Sequence, residues 1–211
     1  MTGPRLQLFA RAPVAGAAKT RLIPALGAAG AARLQARLLR RALAVLEGVD
    51  ERVPGLEREL WCHPDTDHPA FRAAAGQGFR LRAQVGGDLG ERMAGALEAA
   101  LAEGAPSAVL VGSDCPGLTA GPVADAFDEL AAGADAVLGP AVDGGYYLVG
   151  LRRPARALFT GIPWGGPEVA AATRTRAAAA GLALAEVATL QDLDTPADLA
   201  AFPELTAAEE P

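Results

Sequence analysis

Arg11, Lys19 and Arg21 share one short segment with Gly16 and a run of small residues, Arg11-Ala12-Pro13-Val14-Ala15-Gly16-Ala17-Ala18-Lys19-Thr20-Arg21-Leu22. Small residues let backbone N–H groups approach an anion while Lys and Arg neutralise its charge, so the segment suits a diphosphate. The plainer alternative is a surface turn decorated by Lys19 and Arg21. The Lys19-Thr20 pair does not make a P-loop, which needs Gly directly before the Lys, where Ala18 stands. No G-x-G-x-x-G follows a strand pattern either, which argues against a nicotinamide or flavin dinucleotide fold.

Carboxylates form the second group. Asp114 lies in Gly112-Ser113-Asp114-Cys115-Pro116-Gly117-Leu118, directly after the apolar run Ala108-Val109-Leu110-Val111. A carboxylate at the end of a buried parallel strand can hold Mg²⁺ or Mn²⁺ through oxygen, or it can simply cap the next turn. Asp143-Gly144-Gly145 is a turn signal whose glycines also permit close approach of a ligand, with Asp143 beside them. Asp192 and Asp194 occupy alternate positions of an extended stretch and point to opposite faces unless the chain turns. Asp194 or Thr195 could instead cap a following helix, with Asp198 in its first turn. His63 and His68 match no metal-ligand spacing and are read as structural.

The elements that would position these groups alternate between strands and helices. Strand patterns are Leu6–Ala10, Glu59–Cys62, Phe79–Ala83, Ala108–Val111, Ala136–Leu138 and Tyr146–Val149. A helix of about twenty residues follows the first strand and carries Leu34, Leu38, Ala42 and Leu46 on one face, with Arg33, Arg37, Arg40 and Arg41 on a solvated one. Leu89–Glu103, Pro122–Ala132, Pro167–Ala180 and Pro196–Phe202 complete the helices, the last three with proline in or near the first turn. This order predicts an α/β fold, a single Rossmann-like domain with a mostly parallel central sheet covered by helices. Ligands of such sheets bind beyond the carboxyl ends of the strands. The domain is expected to span residues 1–203, with an acidic, frayed tail at 204–211.

Bulk properties narrow the function. Half the residues are apolar (51%) and few are aromatic (5%), giving an aliphatic core. A net charge of −6 disfavours duplex binding, which needs a concentrated basic surface, so no nucleic-acid partner is expected. Cys62 and Cys115 are expected as free thiols. No segment offers the ~20 apolar residues of a membrane span, and no signal-peptide pattern opens the chain, so a soluble, cytoplasmic protein is expected.

Taken together, FARAPVAGAAKTRL, GDLGERM, LVGSDCPGL, LGPAVDGGYYLVGL, PWGGPEV and DLDTPADL resemble a bacterial family first catalogued as a domain of unknown function and now described as GT-A glycosyltransferases, some associated with arsenosugar biosynthesis. The likeness runs from Leu6 to Leu199. That family is in turn similar to molybdenum-cofactor and phospholactate guanylyltransferases. The resemblance implies nucleotide or phosphate binding by Arg11, Gly16, Lys19 and Arg21, and a divalent cation, Mg²⁺ or Mn²⁺, held near Asp114 with Asp192 or Asp194. It further implies that Gly87–Met93 brings Arg92 to base or phosphate, and that Gly144, Gly145 and Trp164 line the donor or acceptor side; taken alone, Trp164 reads rather as a core residue. Family members usually carry a hydroxyl residue straight after the tryptophan; here Trp164-Gly165-Gly166 lacks it, and with it one hydrogen bond to an acceptor.

The expected activity is transfer of a sugar from a nucleotide-diphosphate donor to a small-molecule acceptor. Asp143 is the candidate base, since it follows a strand beside a glycine pair that admits an acceptor. Nucleotidyl transfer with release of pyrophosphate needs the same basic and acidic groups and is the alternative. A non-catalytic nucleotide-sugar-binding module is the other.

Overall fold

A computed structural model describes residues 2–205. Seven strands form one sheet: β1 (Arg5–Arg11), β2 (Glu57–His63), β3 (Arg80–Ala83), β4 (Ala108–Gly112), β5 (Ala136–Pro140), β6 (Tyr146–Leu151) and β7 (Leu184–Glu186). Their spatial order is β3-β2-β1-β4-β6-β5-β7, and every neighbouring pair is parallel except the two made by β6. The expected mostly parallel sheet is therefore present, with β6 running against it. Asp143-Gly144-Gly145 turns the chain between β5 and β6, so the short connection that the glycines permit also dictates the reversal, because a parallel crossover needs a dozen residues or more.

Five helices cover the sheet: α1 (Ile23–Glu47), α2 (Pro69–Ala75), α3 (Leu89–Ala102), α4 (Ala120–Ala132) and α5 (Val169–Ala179). Strand alternation decides which layer each meets. Leu6, Leu8 and Ala10 of β1 enter the core formed with Leu39 and Leu43 of α1, Phe71 of α2 and Phe127 of α4. Phe9, one residue out of step, joins Trp61, Leu97 of α3 and Ala177 of α5 on the opposite face. A third cluster, Leu22, Leu34, Leu38, Leu193 and Leu205, ties α1 to the chain's last described turn.

Some elements differ from expectation. The long first helix is broken near its start at Gly27, whose φ of 68° and ψ of 164° are not helical. β7 and α2, three and seven residues long, escape a periodicity test that needs longer windows. Pro196–Phe202 is not an α-helix. Only Asp198–Ala201 coils, as a 3₁₀ turn, and Pro203 disfavours helical geometry at Phe202. A further 3₁₀ turn spans Pro203–Leu205, so the packed body includes Leu205; the frayed tail expected after it, from residue 206 on, lies outside the described residues.

Buried charge is concentrated under the β1–β2–β3 edge. The Glu59 carboxylate accepts hydrogen bonds from Arg5 at 2.6 Å, Gln7 at 3.1 Å, Trp61 Nε1 at 2.8 Å and Arg82 Nε at 3.0 Å. Four donors satisfy a carboxylate that is almost fully withdrawn from water, which is the condition under which a buried charge is tolerable. Cys62 and Cys115 are free and buried, and burial pushes both thiols up to about 12. Neither is a thiolate at neutral pH, which excludes them as nucleophiles.

Candidate active site

The carboxyl ends of β1, β2 and β4 carry a trough of three adjoining pockets that share lining residues. The first, about 280 Å³, is floored by Phe9, Ala10 and Leu110 and walled by Arg11, His63, Gln84, Arg92, Tyr146 and Asp192. The second, about 230 Å³, is lined by Arg11, Lys19 and Arg21 from the basic loop together with Gln35, Asp114 and Asp194. The third, about 330 Å³, runs past Arg21 and Asp192 to Val142, Asp143, Gly165 and Gly166. Arg11 and Asp114 border the first two, Arg21 and Asp194 the second and third, and Asp192 the first and third. The carboxylates thus stand where the three compartments meet.

The basic loop is built by tight turns. Ala17 and Ala18 both donate to the Val14 carbonyl, and Gly16 takes φ 82°, a conformation L-residues disfavour. Arg11 and Arg21 are exposed on this loop, Arg11 donating to the Ala17 carbonyl at 3.3 Å. Lys19 lies under it. Its side chain is 4% exposed, and its Nζ donates to the Leu193 carbonyl at 2.7 Å and to Asp194 Oδ1 at 2.8 Å, and lies 3.1 Å from Asp114 Oδ1. Burial pulls the pKa of this ammonium down, but the two carboxylates more than reverse that, leaving it raised.

Asp114 receives further support from Ser113, whose hydroxyl donates to Oδ1 at 3.2 Å and in turn accepts from the buried Gln35 amide at 3.3 Å. Asp192 has no hydroxyl or ammonium partner of this kind, only the buried Cys115 thiol beside its carboxylate. Its Oδ1 is buried without a hydrogen-bond partner. Burial, then the charges of Asp114, Asp143 and Asp194, raise its pKa to about 7, with only Lys19 acting against them. Asp192 and Asp194 both border the third pocket, Asp192 reaching the first as well and Asp194 the second.

Mg²⁺ and Mn²⁺ take oxygen donors, and Mg²⁺ is commonly held by one or two carboxylates together with substrate phosphates rather than by a complete protein cage. Among the described residues no group of three or more His, Cys, Asp or Glu is gathered tightly enough to form such a cage. The residues nevertheless fit a cation shared with a phosphate. Asp192 carries an unpartnered buried oxygen, like charges surround it, and the pocket beside it is lined by Arg11.

In the first pocket, Arg92 is fixed by Nε to the Gly86 carbonyl at 3.1 Å and Nη2 to the Gly87 carbonyl at 3.4 Å. The Gly87–Met93 stretch does bring Arg92 to the trough. Asp88 caps α3 by accepting from Glu91 N at 2.8 Å, and Glu91 reaches back past the cap to accept from Gly87 N at 2.7 Å, which ties the loop to the first turn of α3.

A family model described as an uncharacterized protein conserved in bacteria, DUF2064, matches residues 49–166, more than half of the 211. The chain belongs to the DUF2064 family. A solved structure from Desulfovibrio desulfuricans G20, provisionally described as a nucleotide-diphospho-sugar transferase, is 34% identical, with 92% of this chain and 84% of that one aligned and a TM-score of 0.82. The fold is also that of 2-C-methyl-D-erythritol 4-phosphate cytidylyltransferase from Thermus thermophilus, at 19% identity, 95% and 97% coverage and TM-score 0.53. It is shared as well with glucosyl-3-phosphoglycerate synthase from Mycobacterium tuberculosis, solved with Mn²⁺, uridine diphosphate and glucosyl-3-phosphoglycerate, at 12% identity, 97% and 76% coverage and TM-score 0.57. No curated protein matches the sequence.

In this DUF2064 chain the remaining expected residues divide. Asp143 is exposed and borders the third pocket, its Oδ1 accepting from Gly145 N at 2.9 Å. The space above Gly144 is taken by the protein itself, because a β-carbon there would stand 1.9 Å from the Pro167 carbonyl oxygen. Trp164 packs edge-on against Tyr146, ring centroids 6.3 Å apart, and over Gly90 of α3, and so anchors the loop instead of lining the three pockets. His63, read from the sequence as structural, borders the trough of this DUF2064 fold, as do Gln84 and Gln35, which the sequence reading did not single out. His63 ends β2 directly beside Arg11 in the parallel register, so its place at a strand's carboxyl end was the available signal. His68 caps α2, accepting from Ala70 N at 3.2 Å, the structural role expected of it.

Proposed function

We propose that the chain is a metal-dependent transferase that moves a sugar from a nucleotide-diphosphate donor to a small-molecule acceptor. The observation that carries this reading is the trough itself, in which exposed arginines and a partly uncompensated carboxylate group meet at the carboxyl ends of the central strands. The likeness to the Desulfovibrio protein supports a nucleotide-diphospho-sugar donor.

In this reading the nucleoside lies over Phe9 and Ala10 between His63, Gln84 and Arg92. Arg11 and Arg21 hold the phosphates from the two sides of the basic loop and stabilise charge developing on the leaving diphosphate. Asp192 and Asp114 would hold Mg²⁺ or Mn²⁺, which when bound supplies charge neutralisation for that same leaving group. The acceptor enters the third pocket, where Asp143 has one carboxylate oxygen available to take its proton.

Product analysis tests the reaction type. Incubation with nucleotide sugars, Mn²⁺ and candidate acceptors is expected to release free nucleoside diphosphate, lost on Asp192→Asn. Release of pyrophosphate from a nucleoside triphosphate instead would assign the trough to nucleotidyl transfer.

A further inference from the structure

The ammonium group of Lys19 has three N–H donors and no acceptor. Around it are three acceptors: the Leu193 carbonyl at 2.7 Å, Asp194 Oδ1 at 2.8 Å and Asp114 Oδ1 at 3.1 Å. With the side chain 4% exposed, no donor is left over for a ligand phosphate. The backbone is committed to the same arrangement. Lys19 has φ 46° and ψ 47°, left-handed geometry that is uncommon for a residue with a β-carbon and persists where the surroundings fix it.

We infer that Lys19 is a built-in counter-ion and positioning residue, acting through Asp114 and Asp194, and that the phosphate-binding cations of the basic loop are Arg11 and Arg21. The inference rests on the proposed binding of a divalent cation by Asp192 and Asp114. Asp114 and Asp194 come from segments about 80 residues apart, joined at the backbone by Leu193 N donating to the Asp114 carbonyl and at the side chains by the ammonium, which touches both carboxylates. It holds one oxygen of each and leaves the others free. Asp192, which Lys19 does not touch, keeps its unpartnered oxygen for the cation. The positive charge also screens the pair from each other, so the acidic wall stays assembled before any cation arrives. The expected consequence is a trade: the ammonium keeps the site folded and at the same time weakens its attraction for free metal.

The test is Mn²⁺ binding without nucleotide, by calorimetry, on wild type and Lys19→Met, with thermal melts of both proteins across a Mn²⁺ titration. Lys19→Met is expected to melt lower in metal-free buffer, to bind Mn²⁺ at least 10-fold more tightly than wild type, and to gain more in melting temperature from Mn²⁺. A variant that folds only once Mn²⁺ is added would carry the same meaning. Equal or weaker Mn²⁺ affinity in Lys19→Met, equal melting gains, or failure to fold at saturating Mn²⁺ overturns the counter-ion role. Absence of Mn²⁺ binding in both proteins would instead remove the metal from the proposed function, since the counter-ion role predicts a gain in the variant even where the wild type binds weakly.

Discussion

Arg92 Nη1 lies 3.3 Å from His63 Nδ1, and because a guanidinium can only donate, the imidazole must accept there and carry its proton on Nε2. Burial, then Arg11 and Arg92, hold the pKa of His63 below its ordinary value. The folded state therefore disfavours the imidazolium, and the unfolded state binds more protons once pH falls below the ordinary value near 6.5. Stability is expected to decline as pH drops through that value towards the lowered one. Urea denaturation of wild type and His63→Gln between pH 8 and pH 5 checks this; the decline should be smaller in the variant.

Asp192 has the opposite sign. With its pKa raised to about 7, the folded protein binds a proton that the unfolded chain has released above about pH 4, and this contribution is lost as pH rises through 7. Asp192→Asn is accordingly expected to be more stable than wild type at pH 8 in metal-free buffer, with the gap narrowing as pH falls below 7 and closing near pH 4. Mn²⁺ must displace the same proton, so wild-type affinity should climb between pH 6 and pH 8 and then level off. Denaturation and calorimetry across that range read both effects.

Two glycines support the site by being small. A β-carbon on Gly90 would sit 2.5 Å from Trp164 Cζ2 and 2.7 Å from the Phe159 carbonyl oxygen. Gly90→Ala should cost about 1–3 kcal/mol by overpacking and shift the tryptophan fluorescence. Gly144→Ala meets the Pro167 carbonyl at 1.9 Å and must also adopt φ 89°, so the loss should be about 3 kcal/mol or more. Equilibrium unfolding distinguishes them.

Glu59 offers a test remote from the trough. Glu59→Ala removes the acceptor of Arg5, Gln7, Trp61 and Arg82 and leaves the 1%-exposed Arg5 without its shortest partner, which should cost about 3–5 kcal/mol. Glu59→Gln keeps the shape and should cost less. Nucleotide binding by the folded fraction is expected to be unchanged.

These residues also show what could be read from the sequence. The apolar run Ala108–Val111 and the helical spacing of Leu34, Leu38 and Leu46 announced a central strand and a covering helix, because burial fixes their residue types. Asp114, Asp192 and Asp194 stood out as carboxylates after strand or extended segments and do meet in one place. The fate of Lys19 did not show, since nothing local distinguishes a lysine that points to solvent from one that turns under its loop towards Asp194, 175 residues on. Trp164 and Gly144 likewise owe their contacts to Gly90 and Pro167, partners that only the assembled fold supplies.

The central claim, that this trough binds a nucleotide diphosphate through Arg11 and Arg21 with a cation at the carboxylates, is tested most directly by calorimetric titration of uridine, guanosine, cytidine, adenosine and thymidine diphosphates. Each is titrated with and without Mn²⁺ into wild type, Arg11→Ala and Asp192→Asn. The account predicts that at least one binds wild type, that Mn²⁺ strengthens it, and that either substitution weakens the Mn²⁺-supported binding at least 10-fold, about 1.4 kcal/mol. Binding that is indifferent to Mn²⁺ and to both substitutions, or no binding by any of the five, would contradict it.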